Sequence, residues 1–300
     1  MSEQPTSRRT SLLAALALLA ITAAWGSTFY LTKDLVTRVP VLDYLAVRFA
    51  IASLAVFLIF PRAVARLSPR TRRSAVVLGL LYGVAQILQT TGLTQTAASV
   101  SGFITGMYVV ATPIFAALLL RHRIGATTWG AVALAMVGLG VLTLSGFSIG
   151  YGEALTFVAA LLYALHIVGL GAWSNAREAM GMTIIQLVVI TLVCFVATIP
   201  DGVVLPSNTA DWASLLYMAL VAGALTMAGQ TWAQAHLLPT RTAIIMSMEP
   251  VFAAFFAVLL GGESLTARML VGGALVLAAM LVVEITPRRR IEAEVQHIAV

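Results

Sequence analysis

Charge is scarce in this sequence. Of 300 residues only 10% are Asp, Glu, Lys or Arg, against about 25% in a soluble domain. A soluble chain this apolar has too few polar groups to cover its surface, so that class is excluded. Cysteine is nearly absent: Cys194 stands alone in an apolar run, which excludes an intrachain disulfide. Histidine is also rare. His122, His166, His236 and His297 stand in no HExxH or HxxxD spacing, and they assemble no metal set of ordinary spacing. No GxSxG nucleophile turn occurs. No cofactor and no enzymatic reaction is therefore expected, and an intramembrane enzyme is the weaker alternative.

What the sequence has is hydrophobic length. It is 60% hydrophobic, and uncharged runs of about 20 residues recur along it, as membrane-crossing helices require. Lipid cannot hydrogen-bond the backbone, so each span is a helix or a strand of a closed barrel. These runs are too long and too uniformly apolar for barrel strands. The expected class is an all-α membrane protein. Ten spans are predicted, near residues 11–32, 42–60, 74–95, 99–120, 127–145, 152–171, 182–200, 212–235, 241–260 and 266–285.

Basic residues orient the spans. The net charge of +6 reads as topology markers beside the membrane and not as a nucleic-acid surface. With the N-terminus inside, fourteen of the 18 Lys and Arg residues fall in cytoplasmic segments. Lys33, Arg38 and Arg268 fall outside, and Arg48 lies within a span. Both termini are thus expected in the cytoplasm. The paired Arg8 and Arg9 ahead of "TSLLAALALLA" resemble a secretory or twin-arginine leader. The apolar run continues without a small-x-small cleavage site, so it reads as the first span with a cytoplasmic anchor.

A repeat runs through the chain. "TPIFAALLL" (Thr112–Leu120) matches "EPVFAAFFA" (Glu249–Ala257), which sets Pro113 and Pro250 137 positions apart. Trp25 precedes Tyr163 by 138 positions, and Arg48 precedes Gln186 by 138. "YGVAQILQTTGLTQT" aligns with "AGALTMAGQTWAQAH" at a shift of 140, and Gly130 and Gly272 open similar helices. The unit holds five spans. An odd number inserts the second copy from the opposite side, which is the inverted repeat of many secondary transporters, with a site at the midplane. Residues 1–147 form the first expected repeat, 148–290 the second, inverted one, and 291–300 a cytoplasmic tail.

Several motifs carry a family resemblance. They are "AWGS" in the first span, Pro-Ile/Val-Phe-Ala-Ala at Pro113 and Pro250, and the ending "EPVFAAFFAVLLGGESLTARMLVGGALVLAAMLVV". Over essentially its whole length the chain resembles the drug/metabolite transporter superfamily, in its EamA-type branch. Within that branch it is similar to the YddG-type exporters of aromatic and other neutral amino acids. The resemblance implies a ten-helix basket around a central cavity, export from the cytoplasm and a bacterial inner-membrane location. The first half departs from the pattern. Thr112 stands where an acid would precede the proline, and "LRHRIG" replaces the Gly-Glu turn. The acidic signature occurs once, which argues against two equivalent carboxylates.

Polar side chains inside spans are costly and tend to face a cavity or a partner helix. Tyr82, Gln86 and Gln89 share a stripe at i, i+4 and i+7; Thr105, Tyr108 and Thr112 share another. Tyr163 and His166 follow at i, i+3, and Thr226, Gln230 and Gln234 form a later stripe, with Trp232 on another side. Each set lines a cavity or makes interhelical hydrogen bonds. The candidate substrate-binding residues are Tyr82, Gln86, Gln89, Tyr108, Tyr163, His166, Gln230, Trp232 and Gln234. Their neutral amide, hydroxyl and aromatic groups suit a zwitterion with a neutral side chain; drugs or nucleosides are the alternative. The Gly102–Gly106 step is expected to mark close helix contact.

Four further residues are structural or coupling candidates: Arg48, Glu249, Pro113 and Pro250. Glu249 has three open fates: a protonated structural group, a partner of Arg48 or His166, or a carrier of protons. Pro250 is expected to free the Met246 carbonyl and kink its span, as Pro113 does in the other half. Arg48 is expected in a structural or gating ion pair, with a substrate carboxylate as the alternative. Glu263 and Glu284 lie near span ends and are expected to be solvated. The expected partners are a small-molecule substrate (an amino acid or similar metabolite), the lipid bilayer and protons, with a monomer as the working unit.

Overall fold

The computed structural model describes residues 8–120, 125–143, 150–173, 178–198, 202–226, 229, 233 and 245–285. Helices follow one another as α1 (Arg8–Leu35), α2 (Val41–Ile59), α3 (Pro69–Leu93), α4 (Ala98–Leu120), α5 (Ala126–Thr143), α6 (Tyr151–Trp173) and α7 (Ala179–Thr198). Then come α8 (Thr209–Leu216), which runs on as a π-helix over Tyr217–Leu225, α9 (Glu249–Leu259) and α10 (Ala267–Ile285). Among the described residues there is no strand. The first four helices, α6 and α7 are long and apolar enough to cross a membrane; the apolar stretches in α5, α8 with its π-helix, α9 and α10 are shorter.

Local chemistry sets several helix starts. Ser68 caps α3 by accepting from the Thr71 amide at 3.1 Å, and Pro69 occupies the first turn, where its missing N–H costs nothing. Asn208 caps α8 through the Asp211 amide at 2.9 Å. Pro113 lies inside α4, where the Thr112 hydroxyl donates to the Tyr108 carbonyl at 2.7 Å.

Pro250 behaves differently from expectation. In the described part of the span predicted over 241–260, a turn at Ser247 and Met248 breaks the helix before Glu249. Met248 is the N-cap, α9 starts at Glu249, and Pro250 sits in its first turn. The proline therefore opens a helix where its twin Pro113 lies inside one. A first-turn proline loses no intrahelical bond, so the broken geometry is the less strained solution.

The helices pair as α5 with α10, α3 with α6 and α7, α4 with α6 and α9, α2 with α7, and α1 with α9. One apolar core joins α2, α7 and α8 around Tyr44, Phe49, Ile190 and Leu215. Another joins α4, α5 and α10 around Val110, Ala135, Val276 and Met280. Large apolar side chains such as Leu58, Leu118, Val196 and Leu225 point outwards, each more than half exposed, as lipid contact requires. Small residues set the closest approach: a Cβ on Gly102 would stand 2.5 Å from Ala253 Cβ, and one on Gly106 2.8 Å from Pro250 Cγ. The glycine step is thus the α4–α9 contact.

Polar ties gather at the end where α1 finishes and α8 begins. Lys33 donates to the Thr96 carbonyl at 2.6 Å, and Asp43 accepts from the Val204 amide at 3.0 Å. Arg38 bridges Asp34 and Asp211, at 2.6 Å to the latter. Asp34 and Asp211 together hold the Arg38 guanidinium above its ordinary value, and Arg38 holds the Asp211 carboxyl below its own. Glu263 corrects an expectation. It is not simply solvated: it accepts from the Ala98 amide and from the Ser99 amide and hydroxyl, capping α4 from the α9–α10 turn. Gly262 allows that reach, with φ at +71° after α9 ends. The Glu284 side chain lies outside the described residues.

Candidate functional site

Midway along the bundle is a cavity of about 270 Å³, near the lower end of small-molecule sites. Trp25, Thr28, Phe29 and Thr32 line it from α1, Arg48 from α2, and Tyr82, Gln86, Gln89, Thr90 and Leu93 from α3. Thr105 and Tyr108 come from α4, Tyr163, His166 and Ile167 from α6, Ala222 from the π-helix and Glu249 from the start of α9.

The polar groups are linked across helices. Gln89 is a junction: its Nε2 donates to Thr105 Oγ1 at 2.9 Å, and its Oε1 accepts from the Tyr163 hydroxyl at 2.7 Å. One amide thereby fixes α3, α4 and α6 to each other. Gln86 Nε2 donates to the Tyr82 hydroxyl at 2.9 Å, one turn away. The Tyr82 ring packs edge-on to Phe49 with centroids 6.1 Å apart, and lies 5.8 Å from Tyr163 and 5.2 Å from His166. These four rings make an aromatic wall, and such pairs hold each other's orientation.

His166 Nε2 is 2.6 Å from Gln186 Oε1, while Gln186 Nε2 donates to the Met182 carbonyl. The imidazole thus meets both descriptions offered by the sequence: a satisfied hydrogen-bonding group that still borders the cavity. Trp25 Nε1 donates to the Ala222 carbonyl and to Thr226 Oγ1, each at 3.1 Å. A π-helix widens the backbone ring and is often found at functional positions; here a carbonyl of that turn receives the indole.

Arg48 does not form the expected ion pair. Among the described residues the ion pairs within 4.0 Å belong to Arg38 alone. The Arg48 Nη1 donates instead to the Tyr44 hydroxyl at 2.9 Å. Its guanidinium carbon lies 5.4 Å from the Phe49 ring centre and 5.8 Å from that of Tyr44. Tyr44 is itself 2.9 Å from Thr32 Oγ1. Glu249 lines the same cavity as Tyr108 and forms no ion pair with Arg48 or His166.

The structure therefore brings Tyr82, Gln86, Gln89, Tyr108, Tyr163, His166, Arg48 and Glu249 to one cavity. Pro250 packs behind it against Gly106. Gln230, Trp232 and Gln234 lie outside the described residues. Sequence reading missed the α1 wall. Trp25, Thr28, Phe29 and Thr32 recur at i, i+3, i+4 and i+7, a helical face that was legible but was masked by the apolar residues around it.

The family model described as EamA-like transporter family matches residues 12–144 and again residues 150–285. The chain belongs to the EamA-like transporter family. That places it in the drug/metabolite transporter superfamily, as a multi-pass membrane transporter. This EamA-like chain is 30% identical to an uncharacterized transporter of Archaeoglobus fulgidus over 279 residues, 91% of this chain and 86% of that one. A solved crystal structure superposes on it with a TM-score of 0.63 at 16% identity, covering 94% of this chain and 99% of the other. At that identity the likeness is one of fold.

Proposed function

We propose that this EamA-like transporter is a secondary carrier that exports small metabolites, neutral or aromatic amino acids first among them, from the cytoplasm by alternating access. The observation that carries the reading is the central cavity, walled by amide, hydroxyl and aromatic groups and bordered by α1, α3, α4, α6 and α9. Tyr82, Gln86, Gln89, Tyr108, Tyr163 and His166 are its substrate-facing residues, with Gln230, Trp232 and Gln234 as further candidates.

The two halves are read as inverted five-helix repeats, 1–147 and 148–290, in the inner membrane with both termini cytoplasmic. Three observations support this. The family match falls twice along the chain. Exchanging the halves turns the α4–α6 pairing into α9–α1 and the α3–α7 pairing into α8–α2, and all four pairings occur. Trp25 of α1 reaches the π-helix region and Tyr163 of α6 reaches α3, the same reach in exchanged halves.

Counterflow tests the function. Purified protein is placed in liposomes loaded with unlabelled phenylalanine, and entry of labelled phenylalanine is followed. A carrier gives trans-stimulated uptake, competed by other neutral amino acids more strongly than by nucleosides or cationic drugs. Uptake competed only by drugs or nucleosides replaces the substrate class; flux without trans-stimulation replaces the carrier by a channel.

A further inference from the structure

A basic and an acidic side chain border the cavity without pairing with each other. Arg48 on α2 and Glu249 at the first residue of α9 both line it, and they form no ion pair. A guanidinium carries five N–H donors. The Arg48 side chain spends one of them on the protein, at Tyr44, and its face is held by the Phe49 and Tyr44 rings. It is thus positioned by aromatic rings and a phenol rather than by a counter-charge. Glu249 lines the cavity together with Tyr108. Tyr82 and Tyr163 line the same cavity as both, so the two act on one shared space.

Holding a cation and an anion apart inside a membrane protein is costly. A solute that carries both charges relieves both costs at once. We propose that Arg48 receives the carboxylate of a zwitterionic α-amino acid, that Glu249 receives its ammonium, and that the side chain lies against the Tyr82, Tyr163 and His166 rings. The guanidinium edge offers paired N–H groups that match a carboxylate. This assignment rests on the amino-acid reading above and adds to it which residue reads which end. It also ties binding to movement. Arg48 belongs to the first half and Glu249 to the second, so the solute itself bridges them.

The experiment uses full-length protein in liposomes, labelled L-phenylalanine counterflow, and two competitors. L-phenylalanine amide keeps the ammonium and lacks the carboxylate. 3-Phenylpropionate keeps the carboxylate and lacks the ammonium. Each is expected to compete at least about tenfold more weakly than phenylalanine, because each leaves one buried charge unpaired. Arg48→Gln is expected to abolish the preference over the amide while keeping that over phenylpropionate. Glu249→Gln is expected to do the reverse, and Arg48→Lys to fall between wild type and Arg48→Gln. If the variants fail to fold, the wild-type competition decides alone. Normal phenylalanine counterflow with both competitors as effective as phenylalanine overturns the clamp and leaves the transport reading standing. Absence of counterflow with every amino acid, alongside transport of a nucleoside or drug, overturns the transport reading and the clamp with it.

Discussion

The Tyr163 hydroxyl donates to Gln89 Oε1 at 2.7 Å, from α6 of one half to α3 of the other. Trp25 makes the matching reach to Thr226 at 3.1 Å. The donors lie 138 positions apart and the acceptors 137, so the two bonds join matching helices of the proposed repeat. Tyr163→Phe and Trp25→Phe are each expected to lower stability by about 0.5–1.5 kcal/mol, the net worth of one hydrogen bond. Thermal melts in detergent measure it. A double-mutant cycle of Tyr163→Phe with Gln89→Leu should show coupling; strict additivity would mean that the bond contributes nothing.

The aromatic and amide wall yields a transport prediction. Tyr82→Ala, Gln86→Ala and His166→Ala are each expected to reduce uptake into proteoliposomes several-fold while the protein still reaches the membrane. Tyr82→Ala should be the most severe, since its ring touches Phe49, Tyr163 and His166. Normal transport by all three would mean that the solute path lies elsewhere.

Close packing of α4 on α9 gives a stability contrast. Gly102→Ala drives a methyl to 2.5 Å from Ala253 Cβ, and overpacking of this kind costs about 1–3 kcal/mol. Gly130→Ala meets nothing within 4 Å and gains helix propensity of about 0.5–1 kcal/mol. The first should melt lower than wild type and the second equal or higher. Equal melting of the two would show that the glycine step does not set the contact.

The Arg38–Asp211 tie predicts a pH dependence. Arg38 holds the folded Asp211 carboxyl below its ordinary value, so the unfolded chain binds the proton more readily. The contribution is fully present above the ordinary carboxylate pKa of about 3.9. It is lost as pH falls through the lower folded value. Melting of wild type and Asp211→Asn should therefore differ near pH 6, and the difference should shrink as the pH falls below about 3.9. A gap that stays constant over that range would assign the effect to something other than the ion pair.

Much of the fold was readable without coordinates. Runs of apolar residues announced the helices, and Pro113 and Pro250 marked related positions. Tyr82, Gln86 and Gln89 reached the cavity because a helical stripe cannot scatter its members. Partner identity was not readable. Glu249 could have met Arg48, His166 or water, and it lines the cavity without an ion pair. Glu263 was expected to be solvated and instead caps α4. Both outcomes depend on which helices touch, and an apolar stripe does not name its neighbour.

What the sequence determined by itself was the medium and the secondary structure. With 10% charge in 300 residues, the chain must lie in lipid, and lipid forces its backbone into helices. What the tertiary structure alone decided was which polar atoms pair and which side chains line the cavity. It set Arg48 on aromatic rings instead of a carboxylate, and began α9 at Glu249 instead of carrying a kinked helix through it. The reason is physical. Hydrophobic burial acts along the whole chain and is indifferent to partner, whereas a hydrogen bond or an ion pair forms only where packing brings two particular atoms within about 3 Å.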